Sequence, residues 1–415
     1  MITAITSIII FSLVILIHEM GHFLAARKAD IDVSEFSVGM GPVLFKKKGK
    51  RETTYFIKAL PIGGYIKMEG EDEDSFSEKS FNAKSPFKRF MVIFMGPVMN
   101  FALAIGLFFI IVLAYGIGGT EVEFVAEDSQ EYASGLRPGD QILAINDRRV
   151  RYWEDLTNEI TQHEQNYTMT VNRDGETIHL SMTQNYRYIV GISPIEVDGE
   201  FTTQMANVNF QFPADLAGIR VGDTIKKING SPMTSWDQIR DTIGQSNGKT
   251  LLFEVDREGA ILEIEVQPDR QISLGFYTAL DKSIWTAITG SVHRTIFYVR
   301  LMFQLIFMMI SGQVGSEAIA GPVGIISMVG EAARIGWYPL LNLAAFISIN
   351  LGFFNLLPIP ALDGSRLIFI AIEGIRGKRI PPEKEGYIHF VGFMLLMGLM
   401  FFVLYQDIIR LLSRG

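Results

Sequence analysis

Long apolar stretches constrain this chain more than any other feature of its sequence. Four of them lie within residues 1–28, 90–116, 337–373 and 386–410, and each reaches the roughly 20 residues that a helix needs to cross a bilayer. The third is interrupted by "NLLPIP", where Pro358 and Pro360 cannot donate helical hydrogen bonds. A break at membrane depth is tolerated only where it faces protein or a water-filled cavity. The pattern predicts an α-helical membrane protein with four spans.

Basic segments predict the orientation of these spans. "KKKGKR" (46–51) follows the first stretch and "IRGKRIPPEK" (375–384) follows the third, whereas the acidic "GGTEVEFVAED" follows the second. Cytoplasmic loops are enriched in Lys and Arg, so both termini are expected outside. The first 17 residues contain neither Lys nor Arg. We therefore expect the first stretch to be a retained anchor, because a signal peptide would begin with positive charge.

The amino-acid composition limits which metal ligands and cross-links the chain can form. The chain has no cysteine, which excludes disulfides and thiolate metal ligands, so a metal would have to be held by His, Asp or Glu. The net charge of -8 argues against nucleic acid as a partner.

An internal repeat lies between the second and third spans. Residues 134–156 align with residues 217–239 at a constant shift of 83, so that Asp140 matches Asp223 and Trp153 matches Trp236. Alternating strand-like patterns surround both copies. We expect two small β-rich domains, at residues 120–190 and 191–278.

Residues 279–336 follow the repeats and contain an apolar segment with three basic residues, His293, Arg294 and Arg300. A span here would bury two arginines at a cost of about 2.5–3.5 kcal/mol each. Amphipathic helices on the outer interface are therefore expected.

The first span contains the pattern His18-Glu19-x-x-His22. Two histidines four residues apart project from one helix face and can hold one metal ion, while the intervening Glu can take a proton from water. A buried His-Glu pair with no metal is the alternative for such a short pattern. In a membrane helix that alternative weakens, because ionisable groups there need a partner or a function.

A third ligand is expected, since catalytic zinc usually has three protein ligands and one open position. At similar depth the sequence offers Asp363, His389 and Glu373. For each of the three, the alternative is an interfacial residue that is satisfied locally and binds no metal. Asp363 is favoured because its Asp-Gly turn follows the break in the third stretch.

Three segments together resemble the site-2 protease family of intramembrane zinc metalloproteases: "HEMGH", "MGPVMN" (95–100) and "NLLPIPALDG" (355–364). The similarity runs nearly end to end, and the repeats resemble PDZ domains through "GLRPGD" and "GIRVGD". It implies Zn²⁺ held by His18, His22 and Asp363, with Glu19 as general base. Asn355 is implied to bind the substrate backbone. Ser365 and Arg366 stand where Gly-His is common in the family.

Residues 29–89, between the first two spans, contain two strand-like segments whose roles we interpret with the help of the same family resemblance. "FSVGMGPVLF" (36–45) is expected to be a re-entrant hairpin whose edge at Gly39, Met40 and Gly41 pairs with substrate; a cytoplasmic surface hairpin is the alternative. "KALPIGGYIKM" (58–68) is expected to cover the approach to the active site. In "MGPVMN", Pro97 is interpreted as a helix kink and Asn100 as satisfying the freed carbonyls.

The expected function is hydrolysis of a peptide bond within a single-span membrane protein, in regulated intramembrane proteolysis at a bacterial inner membrane. By resemblance, the substrate is an anti-sigma factor already trimmed on its outer side, or a remnant signal peptide. The PDZ-type repeats would sit in the periplasm, as a size filter or to capture a substrate tail. A membrane scaffold without activity and a transporter are the alternatives. Apart from membrane lipid and substrate, the sequence indicates no partner.

Overall fold

The structure is a computed structural model, and it describes residues 2–49, 52–71, 77–162, 166–209, 212–313, 321–378 and 380–413. The last two residues of the basic run at 46–51 lie outside these ranges. The chain forms two compact units. One comprises Met1–Ile117 with Asp281–Ile409, and the other comprises Gly118–Leu280 with Arg410–Gly415.

The helices, in chain order, are α1 Ile2–Lys28, α2 Pro86–Tyr115, α3 Gln130–Ala133, α4 Trp153–Thr161, α5 Pro213–Ala217, α6 Trp236–Gly244, α7 Ile284–Ile310, α8 Pro322–Ile335, α9 Trp337–Leu356, α10 Asp363–Arg376 and α11 Pro382–Ser413. Five helices among the described residues are long and apolar enough to cross a membrane: α1, α2, α7, α9 and α11. That is one more than the sequence predicted. The additional helix is α7, which we expected to lie on the interface.

The strands are β1 Val33–Lys48, β2 Thr54–Met68, β3 Ile117–Val125, β4 Gln141–Ile145, β5 Arg148–Arg149, β6 Asn166–Arg173, β7 Glu176–Thr183, β8 Asn185–Ile189, β9 Ile192–Val197, β10 Glu200–Val208, β11 Thr224–Ile228, β12 Ser231–Pro232, β13 Leu251–Arg257, β14 Ala260–Val266, β15 Asp269–Ser273 and β16 Phe276–Asp281. Of these described strands, β1 and β2 lie wholly within the helical unit.

Helices α1 and α2 cross where both lack side chains. A Cβ atom on Gly21 would lie closer than 3.0 Å to the backbone of Met95 and Gly96, so glycine at residue 21 lets the two backbones approach. On its other side α2 packs against α9 and α7 around Phe108, with Met302, Ala345, Ile349 and Phe353 in the same buried cluster. This packing fixes α2 between the first span and the helix that leads to the Asp-Gly turn.

Strands β1 and β2 form a small sheet beside α1. The first half of β1, residues 33–38, pairs with residues 64–68 of β2 on one side and with residues 54–57 on the other. The second half of β1 pairs with residues 54–58. Residues 64–68 are therefore an edge of this sheet among the described strands.

The β-rich unit contains two six-stranded sheets, ordered β16-β3-β4-β6-β7 with β5 beside β4, and β14-β13-β11-β10-β9 with β12 beside β11. β15 pairs with β8. The repeat has the same anchor in each copy, because Arg173 binds Asp140 and Arg257 binds Asp223. The sequence-based boundary at residue 278 differs from the sheet order. β16 follows the second domain but pairs with β3 in the first, so the second domain is an insertion within the first.

Candidate metal centre

Two histidines of α1 form the base of the site. His18 and His22 lie one turn apart on the buried face of the helix, and 7% and 5% of their surfaces are exposed. Their Nε2 atoms are 3.2 Å apart. Because side chains at i and i+4 project from the same face of a helix, the spacing alone brings the two nitrogens together.

Asp363 reaches the same point from a different helix. It is the first residue of α10, directly after the non-helical residues 357–362. Its Oδ2 atom lies 3.2 Å from Nε2 of His18 and 3.4 Å from Nε2 of His22. Gly364 makes this possible, since a Cβ there would lie closer than 3.0 Å to the last carbonyls of α9. The structure thus joins three of the residues singled out from the sequence.

The three atoms fit a zinc ion. Zinc bound to nitrogen and oxygen at about 2.0–2.1 Å in tetrahedral geometry separates its ligand atoms by about 3.3–3.4 Å, close to the separations of 3.2, 3.2 and 3.4 Å found here. Oδ2 of Asp363 is also buried without a hydrogen-bond donor. Lone pairs that converge in a buried space require a cation or a proton between them, and three protein ligands with a fourth position for water are typical of catalytic zinc.

The outer ring nitrogens of both histidines are held by α2. Nδ1 of His22 lies 2.9 Å from the carbonyl oxygen of Val92, so it donates its proton there and leaves Nε2 free to bind a metal. Nδ1 of His18 lies 3.2 Å from the side-chain amide of Asn100. The Asn100 amide nitrogen is the atom that faces this ring nitrogen, and the backbone of Gly96 also hydrogen-bonds the His18 side chain.

Asn100 is a site residue that the sequence analysis interpreted differently. We expected it to satisfy carbonyls freed by Pro97, but α2 is a single helix through Pro97, and the Asn100 amide faces His18. The Asn100 backbone carbonyl accepts a hydrogen bond from Ser348 of α9 at 2.8 Å. The available signal was the polarity of Asn100 inside an apolar span.

Glu19 lies between the histidines and the small sheet. Its carboxylate accepts a hydrogen bond from the backbone N–H of Ile66, and its Cγ lies 3.6 Å from where a Cβ of Gly64 would be. Glu19 therefore faces the sheet edge formed by residues 64–68. A carboxylate that follows directly on a metal-binding histidine can exchange a proton with a metal-bound water molecule.

The other candidate ligands have different partners. Glu373 binds the buried guanidinium of Arg89, with an Nη2–Oε1 distance of 2.5 Å. His389 accepts a hydrogen bond from the backbone of Ala361 at 2.9 Å. Arg366, which replaces a common family residue, pairs with Glu71. Glu373 and His389, the two other candidate metal ligands, therefore have partners away from the metal site.

The predicted substrate-binding residues lie around the break and the sheet. Asn355 is half-buried in the last turn of α9. Gly39 and Gly41 both have positive φ, at 82° and 85°, and form a bend in β1. Met40 between them is 51% exposed and pairs with Leu60 of β2. The Met40 side chain packs on Gly63, next to Gly64 and hence to Glu19.

Comparison with known proteins identifies the family of this chain. The sequence model of peptidase family M50 matches residues 6–399. The chain belongs to peptidase family M50. It is therefore a zinc metalloprotease, and its long apolar helices make it an integral membrane protein.

Relatives in this family span the same length. The zinc metalloprotease RasP of Geobacillus kaustophilus is 33% identical over 97% of this chain and 97% of its own. The regulator of sigma-W protease RasP of Bacillus subtilis is 31% identical, with 99% of both chains covered. The regulator of sigma-E protease RseP of Escherichia coli is 28% identical, with 97% of this chain and 98% of its own covered. Among solved structures, the HtrA3 PDZ domain bound to a phage-derived ligand aligns with 21% of this chain and 91% of its own, at 22% identity and a TM-score of 0.18.

Proposed function

We propose that this M50 protease hydrolyses a peptide bond within or near the membrane-spanning segment of a single-span protein. His18, His22 and Asp363 would hold the zinc ion, and Glu19 would act as general base. One observation carries the proposal: two residues of α1 and one of α10 converge within 4.8 Å inside a helical bundle, and Glu19 follows His18 directly in the same helix.

The chain's own residues account for the proton movements. Bound zinc supplies Lewis acidity towards the substrate carbonyl and towards water. Glu19 takes a proton from the attacking water as the C–O bond forms, and it returns that proton to the leaving amine nitrogen as the C–N bond breaks. Val92 and Asn100 keep the two imidazoles in orientation throughout.

A helical substrate must unwind before its carbonyl can reach the cluster, because helix hydrogen bonds hide each amide. The freed backbone groups then need new partners, since each unsatisfied group in hydrocarbon costs several kcal/mol. The edge at residues 64–68 lies beside Glu19 and offers backbone groups in strand geometry. Asn355 and the bend at Gly39, Met40 and Gly41 would hold the flanking substrate residues.

The relatives' names suggest a substrate class. RseP and RasP are named as regulators of sigma-E and sigma-W, and we propose a single-span anti-sigma factor, trimmed on its outer side, as the substrate here; remnant signal peptides are a second class. The PDZ-type domains would act as a size filter. A groove of about 570 Å³ between α4 and residues 270–274 is the surface that would contact a substrate tail.

We propose four crossings, with the β-rich unit and both termini on the periplasmic side of a bacterial inner membrane. Asp407 supports this count. It lies 25 residues into α11, about 37 Å along the helix, and its Oδ2 accepts hydrogen bonds from Val323 and Gly324 at the start of α8. Helix α8 therefore begins at the end of α11 opposite the cytoplasmic residues 375–384. In this proposal α7, which follows directly on β16, begins on the same outer side as α8 and adds no net crossing.

Reconstitution with a trimmed single-span substrate tests the proposal. The wild-type chain with zinc should cut this substrate, whereas Glu19→Gln should retain zinc and lose cleavage by several orders of magnitude. The matched control is Met20→Leu, which keeps the side-chain volume at the neighbouring position. Cleavage that persists in Glu19→Gln, or after zinc has been removed by a chelator, would refute the mechanism.

A further inference from the structure

The turn that presents Asp363 has an unfavourable backbone. Ala361, two residues before Asp363, has φ of 75°, a left-handed conformation that residues with a Cβ adopt rarely and at a cost. The surrounding structure must therefore stabilise it. Pro358 and Pro360 in the same turn have no N–H to contribute.

Helix α11 supplies the stabilising contact. The N–H of Ala361 donates to Nδ1 of His389 at 2.9 Å. On the other side of the ring, Nε2 of His389 faces Oε1 of Glu385 at 3.7 Å, one turn earlier in the helix. A proton on Nε2, directed towards this carboxylate, leaves Nδ1 as the acceptor that Ala361 requires.

A second residue of α11, Gly392, packs against the same turn. A Cβ on Gly392 would lie closer than 3.0 Å to Cβ, C and O of Pro360. His389 and Gly392 are three residues apart and so share one face of α11. One face of α11 thus contacts the turn at two places. His389 accepts the hydrogen bond from Ala361, and the absence of a side chain on Gly392 leaves room for Pro360.

We propose that His389 and Gly392 are positioning residues for the metal site: they hold the Pro360–Ala361 turn so that Asp363 meets His18 and His22. This inference rests on the proposed zinc ligands. It assigns the last span an indirect role in metal affinity, through the turn that carries Asp363, although α11 itself contributes no ligand. Loss of a contact that orients a ligand typically weakens metal binding by about 10–100-fold.

Zinc affinity of the full-length protein, measured in detergent by competition with a chromophoric chelator, tests this role. His389→Ala and Gly392→Ala should each weaken zinc binding by about 10–100-fold and reduce kcat for the trimmed substrate. Gly398→Ala is the matched control, because it lies on the same helix with no atom within 4 Å of the new Cβ, and it should bind zinc like the wild type.

Ala361→Gly separates positioning from general damage to α11. Glycine adopts positive φ without cost, so the double variant His389→Ala/Ala361→Gly should recover much of the zinc affinity lost in His389→Ala. A purely structural role of His389 in packing α11 would not be rescued in this way. Wild-type affinity in both His389→Ala and Gly392→Ala, or absence of rescue, would overturn the inference. A wild-type chain that binds zinc but cuts nothing would instead refute the proposed function and leave the affinity comparison valid.

Discussion

Gly96 of α2 faces His22 so closely that a Cβ on residue 96 would lie within 3.0 Å of the Nε2 atom of the histidine. Nε2 is the atom that also faces His18 and Asp363. The metal site thus depends on the absence of a side chain on a helix that provides no ligand.

Gly96→Ala should therefore weaken zinc binding by about 10–100-fold or more, because the new methyl group must displace the ring of His22. Gly106→Ala in the same helix places its methyl group in open space and should leave zinc affinity unchanged. The measurement is chelator competition on both purified variants. Equal affinity of the two variants would contradict the prediction.

Asn100→Ala should lower zinc affinity and cleavage by about 10–100-fold, because His18 would lose the group that fixes its ring. Helical content should remain that of the wild type, since the Asn100 backbone carbonyl still accepts from Ser348. Asn342→Ala is the control, because the Asn342 amide donates within its own helix, to the carbonyl of Tyr338. Metal analysis and circular dichroism together check this prediction. It is wrong if Asn100→Ala keeps zinc as well as Asn342→Ala.

Asp140 and Asp223 should stabilise their own domains separately. Each is buried and forms an ion pair with the side chain of one arginine, Arg173 for Asp140 and Arg257 for Asp223. Replacement by Asn removes charged hydrogen bonds worth about 2–3 kcal/mol. Hydrogen exchange should show faster opening of β4 and β6 in Asp140→Asn, and of β11 and β13 in Asp223→Asn.

Asp241→Asn is the control for these variants, because Asp241 pairs with Arg240 at the exposed surface, where an ion pair contributes only about 0–1 kcal/mol. Faster exchange in both domains after a single change would show that they open as one unit rather than separately.

The filter hypothesis predicts a gain of activity. Replacing residues 118–280 by a short flexible linker should allow cleavage of a substrate that still carries a folded outer domain, while the trimmed substrate is cut at an unchanged rate. The comparison is the ratio of the two initial rates in reconstituted vesicles. If the shortened chain still cuts the trimmed substrate but not the substrate with the folded outer domain, the domains are not a filter.

The sequence predicted the pair His18 and His22 well because helical spacing alone places them together. Asp363 required a longer inference, from depth and resemblance, and the structure brings its carboxylate to the same point. Asn100 was interpreted differently because nothing in a linear sequence says which helix an isolated polar side chain faces. Its direction is set by the crossing of α1 and α2 at Gly21 and Gly96.

The strand pairing in the β-rich domains is a second feature that the sequence did not predict. Repeat alignment detects the segments that both copies share, and it matched Asp140 with Asp223. It has no information about β16, because a strand pattern of period two does not specify its partner. The pairing of β16 with β3 comes from tertiary structure, across about 150 intervening residues.

This pairing also sets an order of events during synthesis. A ribosome completes every strand of the inserted domain before it reaches Phe276–Asp281, so the inner domain can fold while the outer one still lacks β16. Domains generally fold as units in the order in which they become complete. The domain that begins first along the chain is thus the last to close, and the final helices, with Asp363, emerge only after it can do so.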